Sequence, residues 1–307
     1  MEGKIIIILG QTAVGKSDFA VRLAKKINGE VISADSRQVY AGLNIGTGKI
    51  TKKEMRGVRH HLLDVVDPRR QCNVAEYVGL ARKAINDIYT RGKVPIICGG
   101  TGFYIEALLG NVALPAIPPN PLLRKKLEKK STEMLYATLK KLDPKRARAI
   151  DRHNPRRLIR AIEVARSRQG GTLTEKRSDL GGTFNVLKIG LMLPNEEIKR
   201  KITIRLFARI GDGMIQEVKK LHAKGISWKR MEKLGLEYYF LARHLQGKLS
   251  KEEMTQQLEK AIWHYAKRQK TWFKRDKTIK WFTPSSVEGF KPKDYKKIEK
   301  AVKKFLT

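Results

Sequence analysis

The chain has 307 residues, enough to bury one large core or two smaller ones, and carries 65 Lys and Arg against 30 Asp and Glu, a formal net charge of +35. That excess implies a polyanionic partner, with nucleic acid ahead of a membrane surface, which a basic amphipathic helix or lipid anchor usually meets; a chain that is simply basic is the alternative. No apolar stretch is long enough to span a bilayer, and two cysteines, Cys72 and Cys98, argue against a disulfide framework or a Cys-type zinc site and fit a reducing cytoplasm.

Residues 5–9 form an apolar run that reads as a buried first strand and leads directly into 10–17 (GQTAVGKS), the P-loop pattern G-x-x-x-x-G-K-[ST]. From Ser17 onward, Phe19, Ala20, Leu23, Ala24 and Ile27 fall on one helical face, which places the loop between strand and helix. Backbone N–H groups along Gly10, Thr12, Ala13, Val14 and Gly15 can then cradle two linked phosphates. Lys16 adds a point charge, and the Ser17 hydroxyl is placed to ligate Mg²⁺. A glycine-rich turn without a ligand is the alternative.

Strands are predicted at 4–9, 30–34, 62–66 and 94–98, separated by helical patterns such as 74–91, the βαβ signature of a parallel sheet. Asp35-Ser36-Arg37-Gln38-Val39-Tyr40 follows the second strand and Gly99-Gly100-Thr101-Gly102 the fourth. Ligands of open α/β sheets bind at the carboxyl ends of the strands, so both segments share the edge that carries the P-loop. A carboxylate there, Asp35, either binds Mg²⁺ or serves as a general base, with a helix N-cap as its structural alternative; for Thr101 the alternative is a turn. The pair His60-His61 lacks the spacing of a helical metal site and reads as structural or substrate-facing.

The stretch 114–121 (LPAIPPNP) breaks this alternation. Beyond it, a Lys- and Arg-rich segment spaces Leu127, Leu135, Leu139 and Leu142, then Leu158, Ile159, Ile162 and Ala165, as helices do, and glycines 170, 171, 181 and 182 bracket a polar loop. The expected architecture is an α/β P-loop core at 1–118 and 184–307, a parallel sheet flanked by helices, with a helical insertion at 119–183. The strand pattern resumes at 186–193, and the rest reads as mostly helical. Ser250 and Glu253 form a capping box for a late helix with Met254, Leu258, Ala261, Ile262 and Tyr265 on one face. Its end, 266–276 (AKRQKTWFKRD), interleaves cations with Trp272 and Phe273, which read as packing because the helical spacing continues.

Taken together, GQTAVGKS, DSRQVY with Gly42 and Ile45-Gly46-Thr47, His60-His61-Leu62 with Asp64, GGTGFY, NPRRLIRAIEV at 154–164 and AKRQKTWF, in that order over residues 5 to 275, resemble the tRNA dimethylallyltransferase family. The resemblance implies transfer of the five-carbon group of dimethylallyl diphosphate to N6 of adenosine 37, beside the anticodon, in tRNAs that read codons beginning with U. It further implies Mg²⁺, an insertion that grips the anticodon stem-loop, and a cytoplasmic monomer without membrane association. Asp35, Thr101 and Arg205 are implied as catalytic, Asp35 accepting the N6 proton and Thr101 bonding Asp35 or the diphosphate. Diphosphate binding is implied for Gly10, Thr12, Ala13, Val14, Gly15, Lys16, Ser17 and Arg205. The tRNA contacts implied are Asp35, Ser36, Arg37, Gln38 (on the adenine edge), Thr101, Arg124, Arg156, Arg157, Arg160, Lys267, Arg268 and Gln269.

The chain departs from the family pattern at Gln11, where proline is usual, at Arg209, where methionine is usual, and at Leu236-Glu237, where an aromatic and a basic residue are common. Without a Cys/His extension after Trp281 it looks like the bacterial form. Two other classes stay open: a P-loop kinase with Arg156, Arg157 and Arg160 as lid arginines, and an RNA-binding protein. An adenylate dimethylallyltransferase would share the core with less need of so basic a surface.

Overall fold

The structure, a computed structural model, describes residues 3–112, 114–115, 117–169, 184–286 and 289–307; the glycine-bracketed loop expected at 170–182 lies outside them. In chain order the elements are β1 (Lys4–Gly10), α1 (Lys16–Ile27), β2 (Gly29–Ser33), α2 (Lys52–Met55), β3 (His60–His61), α3 (Val74–Thr90), β4 (Val94–Gly99) and α4 (Gly102–Leu108). Four helices follow, α5 (Pro121–Leu127), α6 (Thr132–Leu142), α7 (Pro144–Ala149) and α8 (Pro155–Gln169). The chain then forms β5 (Asn185–Leu191), α9 (Asn195–Gly211), α10 (Met214–Ala223), α11 (Trp228–Leu234), α12 (Glu237–Leu245), α13 (Lys251–Phe273), β6 (Lys280–Phe282) and α14 (Pro292–Leu306).

The six strands make one sheet in the order β3-β2-β4-β1-β5-β6, parallel throughout. In the central strand β1, Ile6 pairs with Ile96 on one side and Leu187 on the other, and Ile5 to Ile8 are fully buried. A parallel strand covered on both faces needs a continuous apolar run rather than an alternating one, which is why IIIIL reads as strand. Helices α1 and α3 pack on β2 and β4, α13 on β1, and α14 on β5. The α/β P-loop core with helices flanking a parallel sheet is as expected.

Two details differ. The third strand occupies His60–His61 rather than 62–66, because Leu62 and Asp64 both adopt left-handed backbone (φ +62° and +57°) and turn the chain off the sheet, leaving one bridge between Tyr40 and Val66. Strand β6, pairing with β5 at Ile189 to Leu191, is too short at three residues to show a period in sequence.

The chain divides into two compact units, Met1–Asn111 with Gly182–Thr307, and Val112–Gly181. The second is a helical cluster around Leu127, Leu135, Leu139, Leu158 and Ile162. Its helix starts are locally encoded: Asn120, Ser131 and Asp143 cap α5, α6 and α7 through their side chains, with proline at the first turn of α5 and α7. Glu163, 3 % exposed, accepts two bonds from the Arg124 guanidinium (2.7 and 2.6 Å), one from Arg160 (3.0 Å) and one from the Asn120 N–H (2.9 Å). Among the described residues no helix is long and apolar enough to cross a membrane.

Candidate active site at the carboxyl edge of the sheet

A cavity of about 450 Å³ opens where β1, β2 and β4 end. Gly10 carries β1 into the loop at φ +144°, where a Cβ would overlap the Leu191 carbonyl oxygen, so only glycine lets the two strands end this closely. Helix α1 begins at Lys16 behind a left-handed Gly15 that supplies no side-chain cap, which leaves first-turn donors for an anion. The Lys16 ammonium donates to the Gln11 carbonyl (2.6 Å); burial, with Arg205 adding to it, pulls its pKa down to about 8. Thr12, Ala13, Gly15, Lys16 and Ser17 line the cavity, whereas Gly10 does not, and the Val14 side chain is buried in the core.

Asp35 follows β2 and also lines the cavity. Its Oδ1 accepts the N–H groups of Arg37 (2.8 Å) and Gln38 (3.3 Å), so the capping alternative is realised by one oxygen. Among the described residues no donor reaches Oδ2. Thr101 bonds neither Asp35 nor the cavity: its hydroxyl accepts the Ser36 N–H (3.1 Å), tying the loop after β4 to the loop after β2. Ser36 likewise stays outside the lining. Gln38 lines it, with its amide set by Ser33 (3.1 Å) and the Gly48 carbonyl (3.3 Å); Arg37 lies alongside.

Gln269, implied by the resemblance as a tRNA contact, is 5 % exposed, lines the cavity and holds two loops together. Its Oε1 accepts the Thr12 N–H (2.7 Å) and its Nε2 donates to the Gly100 carbonyl (3.0 Å). Gln11 adds a third tie, from Nε2 to the Ala266 carbonyl of α13 (3.2 Å). Proline at position 11 would make no such bond. Phe273 is buried and Trp272 packs edge-on against Phe103, so the aromatics at the end of α13 do pack. Lys267 and Arg268 are exposed.

Helix α9, entered from β5, supplies Lys201, Ile204, Arg205 and Arg209 to the cavity wall. Desolvation and the adjoining Arg209 pull the Arg205 pKa down to about 10. Arg209 lies 3.5 Å from Glu237, whose carboxyl burial pushes up against the pull of that guanidinium. The two departures from the family pattern are thus one ion pair, invisible to a reading that takes each position alone. Leu236, beside it on the wall, has φ +42°, a strained conformation for a branched residue of the kind that clusters at functional sites. Gly48 must be glycine as well: at φ +58° a Cβ would overlap the Arg209 guanidinium. Its loop is held by Glu217, which accepts the N–H groups of Asn44 (2.9 Å), Ile45 (2.7 Å) and Gly46 (3.0 Å) and the Tyr238 hydroxyl (2.8 Å). Four donors on one carboxylate, three of them about 170 residues away in sequence, give no local signal.

His61 bonds buried Glu30 (2.7 Å) and His60 the Val58 carbonyl (2.9 Å), the structural role. In the helical unit Arg156 and Arg157 are exposed, but Arg124 and Arg160 are committed to Glu163, and Arg160 also donates to the Ile117 carbonyl (2.8 Å). Oxygen donors of Ser17, Asp35 and Glu54 line the cavity, while no group of three or more His, Cys, Asp or Glu gathers among the described residues. That set fits a Mg²⁺ ion held through a hydroxyl, water and substrate phosphate rather than by an all-protein cage.

A P-loop facing a wall of Lys and Arg, with a carboxylate at the same sheet edge, is the arrangement of a P-loop protein with an anion-binding cavity. The family model for IPP transferase matches residues 38–276, and that for isopentenyl transferase matches residues 3–71. The tRNA dimethylallyltransferase 2 of Treponema denticola is 44 % identical over 276 residues, covering 88 % of this chain and 91 % of the relative. The tRNA dimethylallyltransferase of Anoxybacillus flavithermus is 41 % identical over 285 residues, covering 92 % and 91 %. Among solved structures, the tRNA isopentenylpyrophosphate transferase of Bacillus halodurans has a TM-score of 0.74 at 36 % identity, covering 99 % of this chain and 97 % of that one. A eukaryotic dimethylallyltransferase solved in crystallographic snapshots acting on tRNA has a TM-score of 0.75 at 26 % identity, covering 92 % and 74 %. The chain belongs to the IPP transferase family and is a prenyltransferase.

Proposed function

We propose that this chain transfers the dimethylallyl group of dimethylallyl diphosphate to N6 of an adenosine in tRNA, position 37 beside the anticodon, in tRNAs reading codons that begin with U. The observation that carries the reading is the polarity of the cavity: Lys16, Arg205 and Arg209 on its wall with Ser17, and Asp35 in the same lining with no described donor on its Oδ2. The relatives' activities on tRNA and the net charge of +35 support the choice of acceptor.

The N6 lone pair forms the new C–N bond at C1 of the dimethylallyl group while the C1–O bond breaks, its electron pair leaving with diphosphate. Lys16 swings from the Gln11 carbonyl to the phosphates, and Arg205 clamps them with a planar fork that lysine cannot reproduce. Mg²⁺, bound at Ser17, would supply further neutralisation of the leaving group. Asp35 takes the N6 proton through Oδ2, its Oδ1 being held by the turn. Gln38 retains one amide proton and spare lone pairs for the adenine edge. Thr101 and Gln269 act as positioning residues, since they bond the loops that carry Asp35 and Thr12. Exposed Arg156 and Arg157, with Lys267 and Arg268, would meet tRNA phosphates, the helical unit gripping the anticodon stem. The protein works as a monomer in the cytoplasm.

Incubation with dimethylallyl diphosphate, ATP, Mg²⁺ and tRNA, followed by analysis of the released nucleotides and diphosphate and mass analysis of the digested nucleosides, tests this. A prenylated adenosine and stoichiometric diphosphate are expected; ADP formed from ATP with unmodified tRNA would instead establish a kinase.

A further inference from the structure

On α9, Ile204 and Phe207 are 53 % and 56 % exposed, among the few large apolar side chains left open to solvent. They lie three residues apart, on one side of the helix. Ile204 also lines the cavity, and Lys201, Arg205 and Arg209 on the same helix do so too. An apolar ledge therefore meets the cavity at Ile204, beside these cations, and Phe207 extends it outside the cavity lining. Neither a membrane-sized patch nor the roughly 800 Å² per partner of a stable protein interface is built from two side chains. A second copy of this chain would bring its own +35 charge against the rim. A partner with flat apolar faces on a polyanionic backbone satisfies both features. We propose that Phe207, supported by Ile204, is a stacking platform for the unpaired anticodon-loop base next to the reacting adenosine. This rests on the tRNA reading above: extracting one base leaves its neighbours without a stacking partner, and an exposed aromatic ring restores one.

The test is a cycle between protein and RNA. Affinity is measured for an anticodon stem-loop and for versions abasic at either nucleotide flanking the target, with the unsubstituted protein, Phe207→Ala and Phe207→Tyr. Base stacking on an aromatic is worth a roughly 5- to 150-fold change in affinity. Phe207→Ala should lose that factor, Phe207→Tyr should keep it, and one abasic position should cost the unsubstituted protein the same factor while costing Phe207→Ala nothing further. The slope of log affinity against log salt should stay unchanged, because every phosphate keeps its cation. Unaltered affinity in Phe207→Ala, or losses that simply add, overturns the platform. So does a dimer that light scattering detects in the unsubstituted protein and not in Phe207→Ala, which would make the ledge a self-association surface. Failure of the functional reading is seen separately, as no prenyl transfer to the intact stem-loop by the unsubstituted protein, and would take the platform with it.

Discussion

The two units use arginine in opposite ways. In the core, Arg205 has the like-charged Arg209 for a neighbour and, among the described residues, no carboxylate within ion-pair reach, so one guanidinium of the wall faces the cavity without an ion-pair partner. In the helical unit, Arg124 and Arg160 converge on buried Glu163, whose pKa they hold below the usual range against the opposing effect of burial. The family resemblance implied Arg205 as a diphosphate ligand and Arg124 and Arg160 as tRNA contacts. What separates them is the partner: a cation crowded by another is preorganised for an incoming anion, whereas a cation fork on a buried carboxylate fastens one helix to the next.

The largest effect that can break this division lies at Asp35, the carboxylate with an open oxygen among the cavity cations. Asp35→Asn keeps the Oδ1 turn geometry and removes the proton acceptor, so single-turnover prenyl transfer should fall on the order of 10²–10⁴-fold with both substrates still bound. Titrating the variant with Mg²⁺ decides the role. Substantial rescue would make Asp35 a metal ligand and end the general-base assignment.

Glu163→Ala comes next. It strands two guanidinium groups and the Asn120 N–H, and should destabilise the helical unit by about 3 kcal/mol, at the low end for a broken buried pair because Arg124 and Arg160 are each a third exposed. Hydrogen exchange should show the loss in residues 117–169, and the core unit should keep its protection. Unchanged exchange there would mean the fork is not structural.

The core strands and the P-loop were legible because a buried parallel strand and an anion-binding turn are written in consecutive residues, as IIIILGQTAVGKS shows. Long-range partners were not. Arg209 and Glu237 are separate oddities until the fold sets them 3.5 Å apart, and the four bonds of Glu217 connect segments that no periodicity relates. Gln269 sits in a run of basic residues, and nothing local shows that its helix phase turns it from them towards the P-loop and the cavity. Leu62 and Asp64 misled for the converse reason: their apolar neighbours signal a strand, while the left-handed backbone is held by tertiary bonds such as that from Lys49 to Asp64 (2.5 Å).

Lys16 sharpens the contrast through pH. Its folded pKa of about 8 lies below the ordinary 10.5, so between those values the native protein binds fewer protons than the unfolded chain. Stability of the ligand-free protein, taken relative to Lys16→Met, should therefore rise with pH across that window. Dimethylallyl diphosphate affinity should move the other way, falling by up to roughly tenfold per pH unit above 8 as the ammonium is lost. Removing the buried charge should also stabilise the ligand-free Lys16→Met protein below pH 8 by roughly 0.5–2 kcal/mol while impairing diphosphate binding. Isothermal binding and thermal unfolding over pH 7 to 10 read both. Parallel rather than opposed trends would remove Lys16 from the anion site.

The smallest effect separates arginines within the helical unit itself. Arg156 and Arg157 are exposed on α8, about one turn before Arg160, yet Arg160 is spent on Glu163 and the Ile117 carbonyl. If exposed arginines alone meet RNA phosphates, replacing Arg156 and Arg157 by Gln should lower the magnitude of the salt slope of tRNA binding by about 0.7–0.9 for each phosphate left without its cation. Arg124→Gln should leave that slope alone and cost stability instead, because its charge is already answered by a carboxylate. Fluorescence titrations of tRNA at several salt concentrations, paired with thermal unfolding of each variant, give the two readouts. An equal slope change from Arg124→Gln would show that its fork opens towards RNA on binding, and the division between anchoring and binding arginines would then hold only for the free protein.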